Sequence, residues 1–300
     1  MSKSNVHPKF AELARQIEEQ FATGEFVMPF GVNRSAITQK PYRGMNALML
    51  MWVRMLEGYR STEWLTLKQA NQKKWKVAKG AKGTVVAFYS RVETKDSTPE
   101  LPKHYWLAKY YTVFNKDQLL DENGDKLVCP DVLIDIDSET QIKTLDQIAK
   151  ASGVKVNIVE GGSNAFYSRA NHAVTLPAIL DFDSVKGFIT TYAHELGHSS
   201  GKVLRADWEK GSFGSIPYAK EEVVAELCSV FLSSMLGLDK IPLSSHSAYI
   251  AGWLNLAKSV DPEFFGKAVD EASKAAIWMY SLTLPTEDFG ENAADTEAVV

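Results

Sequence analysis

Cysteine is scarce: Cys129 and Cys228 are the only two in 300 residues. A disulfide-stapled secreted module is excluded, and a reducing compartment is expected. Long apolar runs are lacking too. The longest, Ala47 to Met55, is broken by Arg54 and falls far short of the ~20 residues that span a bilayer. The opening stretch MSKSNVHPKF carries no apolar segment of the signal-peptide kind, so the reading is a soluble, cytoplasmic protein with no membrane partner. No internal repeat is evident, and no low-complexity tract precedes the acidic last residues. Apolar residues make up 45%, aromatic 11% and charged 23%, which excludes disordered, collagen-like and coiled-coil chains. The length suggests about two domains with sizeable cores.

The net charge of −4 hides a division. Residues 1–130 carry 20 Lys and Arg against 13 Asp and Glu, a net +7, whereas residues 131–300 carry 13 against 24, a net −11. Acidic residues are nearly missing from 34–82, where Glu57 and Glu63 face eleven Lys and Arg. Chance plus an acidic tail is the plain alternative, but the concentration of cations favours a first half that meets a polyanion.

Apolar spacing predicts an amphipathic helix over 8–21, with Phe10, Leu13, Ile17 and Phe21 on one stripe. Residues 22–43, broken by Gly24, Pro29, Gly31 and Pro41, read as loop. A buried helix over 46–56 follows, then a second helix over 62–71 with Trp64, Leu65 and Leu67 inward. Residues 83–90 and 105–114 read as a pair of strands joined by a turn-rich loop at 94–102. Residues 129–146 look like the connection between domains. Beyond it come strands at 154–159, 165–169 and 173–176. Ser184 caps a helix running to Ser200, stopped by Gly201. Another helix runs from Pro217 to Leu236, and Asp261-Pro262 opens one towards Tyr280. Residues 285–300 read as a mobile acidic tail.

His194-Glu195-Leu196-Gly197-His198 is the sharpest signal. Residues four apart lie on one helix face, so both imidazoles can reach one divalent metal, and Glu195 can act as general base on a water there. A catalytic site needs a third protein ligand. The extended pattern with a final histidine is excluded, because Leu204 stands at that position. The next helix offers Glu221, Glu222 and Glu226. Glu222 and Glu226 share a face, so one can bind metal while the other holds a ligand imidazole. Glu222 is favoured as the ligand and Glu226 as its neighbour; Asp207 and His246 are weaker candidates. Val223, Val224, Leu227, Val230 and Phe231 pack, leaving Glu222, Glu226 and Ser229 for the cleft. Tyr218, one turn before Glu222, could stabilise an oxyanion or simply pack. A His₂Glu set suits zinc first and manganese second.

Cations and aromatics alternate in the first half. Lys40, Tyr42, Arg43, Trp64, Lys68, Lys73, Lys74, Trp75, Lys76, Lys79 and Lys82 are the candidates for DNA contact. Lysines neutralise phosphates, and aromatic faces stack on unpaired bases. Gly80-Ala81-Lys82-Gly83-Thr84 lacks P-loop spacing, and no major-groove recognition helix is evident. A solvated turn with a core tryptophan is the alternative.

Several blocks in fixed order carry a resemblance. Lys40-Pro41-Tyr42-Arg43-Gly44-Met45-Asn46, Trp64 to Ala70, Lys79 to Thr84 and Tyr110 to Asn115 resemble the N-terminal domain of ArdC-type antirestriction proteins, shared with conjugative primases of the TraC type. Ala165 to Tyr167, Leu176-Pro177, His194 to His198, Phe213 to Ser215 and Tyr218 to Leu227 continue it. The resemblance implies an α+β protein of two domains: an α/β single-stranded-DNA-binding domain over 1–130, a linker over 131–150, a zincin-like metallopeptidase domain over 151–284 and a tail over 285–300. It implies protection of incoming conjugative plasmid DNA, with single-stranded DNA, and host restriction machinery or another protein substrate, as partners. A DNA-binding scaffold with a structural or vestigial metal site is the alternative. Similar proteins carry Trp-Thr-Gly-His where this chain has Ser199-Ser200-Gly201-Lys202, and often Asp where His172 stands.

Overall fold

The computed structural model describes residues 6–23, 31–93, 104–127, 136–205, 211–238 and 250–284. The loop at 94–102, the tail at 285–300, Asp207 and His246 lie outside them.

The first helix, α1 (Pro8–Ala22), buries Phe10, Ile17 and Phe21, as their spacing predicts. After the short strand β1 (Arg34–Ser35) comes α2 (Gly44–Glu57), buried continuously from Ala47 to Trp52. That breadth reflects packing against both β4 and α9, defined below. The expected helix over 62–71 is a correction. Glu63–Thr66 is a strand, β2, and only Leu67–Gln72 is helical, α3. Trp64 and Leu65 are both fully buried, but in different clusters. Trp64 meets Leu50, Val86 and Val113, and Leu65 meets Ala70 and Leu119. Adjacent side chains buried on opposite sides require a strand's period of two. Leu67, expected inward, is 49% exposed.

The chain continues through β3 (Lys76–Val77), β4 (Thr84–Glu93), β5 (His104–Asn115) and β6 (Leu119–Leu120). A four-stranded sheet has the order β1-β2-β5-β4, with β4 antiparallel to β5 along all of β4, as expected. β3 and β6 form a separate two-stranded ladder. On the outer edge of β4, the Asn46 amide donates to the Ala87 carbonyl at 2.6 Å and accepts from the Ala87 N–H at 2.9 Å. One side chain thereby satisfies two backbone groups that an edge strand would leave unpaired.

Part of the expected linker is ordered. Ser138–Ala151 is a helix, α4, capped by Asp137. Its Leu145, Ile148 and Ala149 are buried, and Tyr192 donates to Asp146 at 3.0 Å. The sheet β7 (Lys155–Val159), β8 (Phe166–Ser168) and β9 (Ala173–Pro177) has the order β7-β9-β8. Then come α5 (Val185–Ser199), α6 (Gly201–Leu204), α7 (Ile216–Met235), α8 (Ile250–Lys258) and α9 (Phe264–Ser281). Gly201 does not stop the motif helix: Ser200 keeps a right-handed helical conformation and a further turn follows. Gly237, with φ +82°, does follow the end of α7. Asp261 and Pro262 form a turn, and α9 starts two residues later than expected. α8 was not foreseen.

The halves are distinct in charge but continuous in packing. One apolar core runs from Phe10, Phe21 and Leu48 to Leu196, Phe231 and Val269. The Gly44 N–H donates to Ser273 Oγ at 2.9 Å, and the Gly31 N–H to the Ser234 carbonyl at 3.0 Å. Phe21 tilts on Phe265 at 5.9 Å between ring centroids, and Lys258 pairs with Glu18. The two domains thus share one apolar core. Among the described residues, no helix is long and apolar enough to cross a membrane.

Candidate metal centre and basic surface

The small sheet supports α5, and α5 lies against α7. Ser184 caps α5, its hydroxyl accepting from the Gly187 N–H, and Ser215 caps α7 through the Tyr218 N–H. Gly197 lets the two helices meet. A methyl there would stand 3.2 Å from the Ala225 carbonyl oxygen and 3.3 Å from both Ala225 Cα and Cys228 Cβ. Ser229, expected in the cleft, instead donates to the Thr190 carbonyl at 2.9 Å and ties α7 to α5.

This approach brings together the residues singled out from the sequence. His194 Nε2 and His198 Nε2 are 3.2 Å apart. Glu222 Oε2 lies 3.3 Å from the first and 3.8 Å from the second. The oxygen is buried and makes no hydrogen bond of good geometry. Three donor atoms thus converge within 4.8 Å of one another. The opposite ring nitrogens are engaged: His194 Nδ1 is 2.7 Å from Glu226 Oε2, and His198 Nδ1 is 3.0 Å from Glu221 Oε1. A carboxylate only accepts, so each Nδ1 carries its hydrogen and each Nε2 can offer a lone pair. The donor set therefore fits a divalent cation such as zinc or manganese. Glu226, expected as the neighbour of the favoured ligand Glu222, lies behind His194, on the side away from the three donor atoms.

Sequence reasoning gave Glu221 no role. It sits beside Glu222 on α7, and Arg205 donates to both its oxygens, at 2.5 and 2.9 Å. The signal was an acid one residue before the ligand. Neighbours on a helix diverge by about 100°, so Glu221 reaches the second imidazole from its outer side.

Burial alone would lower the His194 pKa, but Glu222 and Glu226, with the charges of Glu226 and Glu195, hold it well above 6.5. His198 is raised in the same way, chiefly by Glu221 and Glu222 against its burial. Glu222 is held down at about 2, its desolvation outweighed by His194, His198 and Tyr218. Tyr218 is half-buried beside Glu222. Burial and the Glu222 and Glu195 charges push its phenol upward, so it stays protonated. Its ring stands between Phe213 at 5.3 Å and Trp253 at 5.9 Å. Glu195 is buried too, close enough for its charge to act on His194 and Tyr218.

His172 takes no part in this cluster. It occupies the β8–β9 turn with φ +47°, its Nδ1 2.7 Å from the Tyr167 hydroxyl and its Nε2 3.2 Å from the Ser152 carbonyl. Ser199 and Ser200 are buried and donate to the Leu196 and Gly197 carbonyls.

In the first half, Lys40, Lys68, Lys73, Lys74, Lys76, Lys79 and Lys82 are exposed. Six of them follow one another along α3, the turn after it, β3 and the approach to β4. Trp64 is a correction. It is fully buried, with its Nε1 donating to Asn33 Oδ1 at 2.8 Å, and no base can reach it. Trp75 is half-buried, with Lys116 Nζ 5.9 Å from its ring centroid. Arg43 and Tyr42 are half-buried as well, and desolvation pushes the Tyr42 hydroxyl up to about 12. Tyr89 on β4 is 50% exposed.

Residues 6–114 match the N-terminal domain of anti-restriction factor ArdC, and residues 143–270 match a zincin-like metallopeptidase family. The chain is 30% identical over 272 residues to an uncharacterized protein of Sinorhizobium fredii, covering 86% of each. It is 31% identical over 250 residues to the DNA primase TraC of Escherichia coli, spanning 78% of this chain but only 16% of the primase. The metal-free crystal structure of antirestriction ArdC from plasmid R388 superposes with a TM-score of 0.71 at 28% identity, covering 92% of this chain and 98% of that one. The Mn(II)-bound structure of the same protein gives 0.66 over the same shares.

Proposed function

The chain belongs to the ArdC-type antirestriction family, and from that premise we propose that it binds single-stranded DNA non-specifically and uses a divalent-metal site of peptidase type in protecting incoming conjugative DNA. The observation that carries the reading is the convergence of His194 Nε2, His198 Nε2 and Glu222 Oε2 on one point between α5 and α7. A mere amphipathic helix would not aim two imidazoles and a buried carboxylate together.

A cation held there supplies Lewis acidity towards a peptide carbonyl and lowers the pKa of nearby water. The chain's own residues do the rest. Glu195 takes a proton from a water in the cleft and returns it to the departing amine. Tyr218, kept protonated, offers its hydroxyl to the carbonyl oxygen as negative charge develops. Glu226 and Glu221 keep both imidazoles in the tautomer that ligation needs. The exposed lysines of α3, β3 and the turns between them supply the phosphate contacts, which the position of the relatives' shared N-terminal domain supports.

Elemental analysis and a conjugation assay test this. His194→Ala should lose the metal, and Glu195→Ala should keep both metal and DNA affinity. Loss of protection in Glu195→Ala would require water activation; retained protection would assign the effect to DNA occupancy or partner contact. Undiminished metal in His194→Ala would refute the site.

A further inference from the structure

Resting on the metal reading above, we propose that Arg205, at the end of α6, and Glu221, on α7, are positioning residues that set the donor geometry of His198. The helical path does not end at Gly201. Because the helix does not stop there, one more turn carries the chain back towards α7. Leu204, where an extended motif would place a third imidazole, is 41% exposed. Arg205, the next residue, turns inward instead. Its Nη1 and Nη2 donate to Glu221 Oε2 and Oε1 at 2.5 and 2.9 Å, and Oε1 also accepts from His198 Nδ1 at 3.0 Å.

A planar guanidinium gripping both oxygens fixes the carboxylate plane, which a single hydrogen bond does not. That plane fixes the rotation of the His198 ring, and the ring aims Nε2 at the point it shares with His194 and Glu222. The two imidazoles are thus supported differently. His194 rests on Glu226, which is fully buried between the helices. His198 rests on a carboxylate gripped by a cation at the C-terminal end of a four-residue helix. The Arg205 charge also offsets one of four carboxylates gathered on these helices, Glu195, Glu221, Glu222 and Glu226. Arg205, just past α6, therefore supports the ligand set without being a ligand.

The test uses full-length protein titrated with Co²⁺, reading affinity by chelator competition and geometry by visible d–d absorption. Arg205→Met and Glu221→Gln should each weaken binding about 10–100-fold, the range for groups that orient ligand histidines, and should shift the cobalt bands. Arg205→Lys, which keeps the charge but not the fork, should bind with intermediate affinity and guards against misfolding of the methionine variant. Wild-type affinity and spectrum in Arg205→Met and Glu221→Gln would overturn the proposal. So would weaker binding with an unchanged spectrum and a matching fall in the thermal midpoint of metal-free protein, since Arg205 would then merely fasten α6 to α7. Wild-type protein that takes up no Co²⁺ would refute the metal reading itself, a result distinct from variants that bind as the wild type does.

Discussion

Gly197→Ala separates fold stability from metal affinity. The new methyl would meet the Ala225 carbonyl oxygen at 3.2 Å, and Ala225 Cα and Cys228 Cβ at 3.3 Å. Carbon atoms prefer about 3.5–4.0 Å. Two of the three obstacles are backbone, so no rotamer change relieves them, and α5 and α7 must part by a few tenths of an ångström. Such overpacking costs about 1–3 kcal/mol, while replacing a mid-helix glycine by alanine returns about 1 kcal/mol. The net loss of stability should be about 0–2 kcal/mol. The metal suffers more, because His194 and His198 flank the glycine on one helix and Glu222 and Glu226 flank Ala225 on the other. Zn–N and Zn–O bonds tolerate only about ±0.2 Å around their usual lengths. The metal-induced rise in thermal midpoint should therefore shrink more than the metal-free midpoint falls. Gly252→Ala is the control: its methyl would meet nothing within 4 Å, and it should stabilise by about 0.5–1 kcal/mol with the metal effect intact. Equal metal-induced rises in Gly197→Ala and wild type would refute the reasoning.

Trp64→Ala should cost about 3–5 kcal/mol of stability, as a core deletion does, whereas Lys73→Glu with Lys74→Glu should leave the melting curve alone and flatten the salt dependence of single-stranded DNA binding. Scanning calorimetry and fluorescence anisotropy decide, and a DNA defect without a stability defect in the tryptophan variant would restore it as a base platform. Metal affinity should rise with pH from about 6 to 8, because the raised imidazolium pKa values of His194 and His198 mean that binding must displace protons. Without metal the sign reverses: the imidazolium contribution to stability is full below 6.5 and is lost as pH rises through the folded values. A pH-independent affinity would refute this. Truncation after residue 127 should give an aggregating, dye-binding species, because it strips α8 from α1 and α9 from α2; a cooperative melt of that fragment would refute the shared core.

The metal centre was legible because its geometry is local. A period of four on one helix aims two imidazoles, and the apolar rows of α5 and α7 say which sides face inward. Glu221 was harder to place, since its role depends on Arg205, whose path depends on a helix that does not end at Gly201. The first half misled in a different way. Trp64 lies among lysines in the sequence, and burial is not written into composition. Asn46, Trp64 and Asn115, all within the blocks that carry the family resemblance, serve the fold: one seals a strand edge, one bonds Asn33, and one donates to the Ser61 carbonyl. Within 131–150, α4 does follow helical spacing, with Leu145, Ile148 and Ala149 inward, but the charged and polar residues between them read as a connection.

Charge and packing therefore divide this chain differently. The cations gather on α3, β3 and their turns, far in sequence from the carboxylates of α7, so under the proposed function phosphate would be drawn to one surface and turned away from the other. Packing respects no such boundary. α2 is fastened to β4 through Asn46 and to α9 through the Gly44–Ser273 hydrogen bond, and α9 lies along α7, which carries Glu221, Glu222 and Glu226. A displacement of α2 by a ligand on the sheet would have to be absorbed at α9 or passed to α7, because a core packed at crystal-like density does not deform without moving its neighbours. Under the function proposed above, DNA affinity and metal affinity rest on different side chains held on one continuous scaffold. Surface substitutions should leave the two independent, while substitutions along the α2–α9–α7 contacts should move both together.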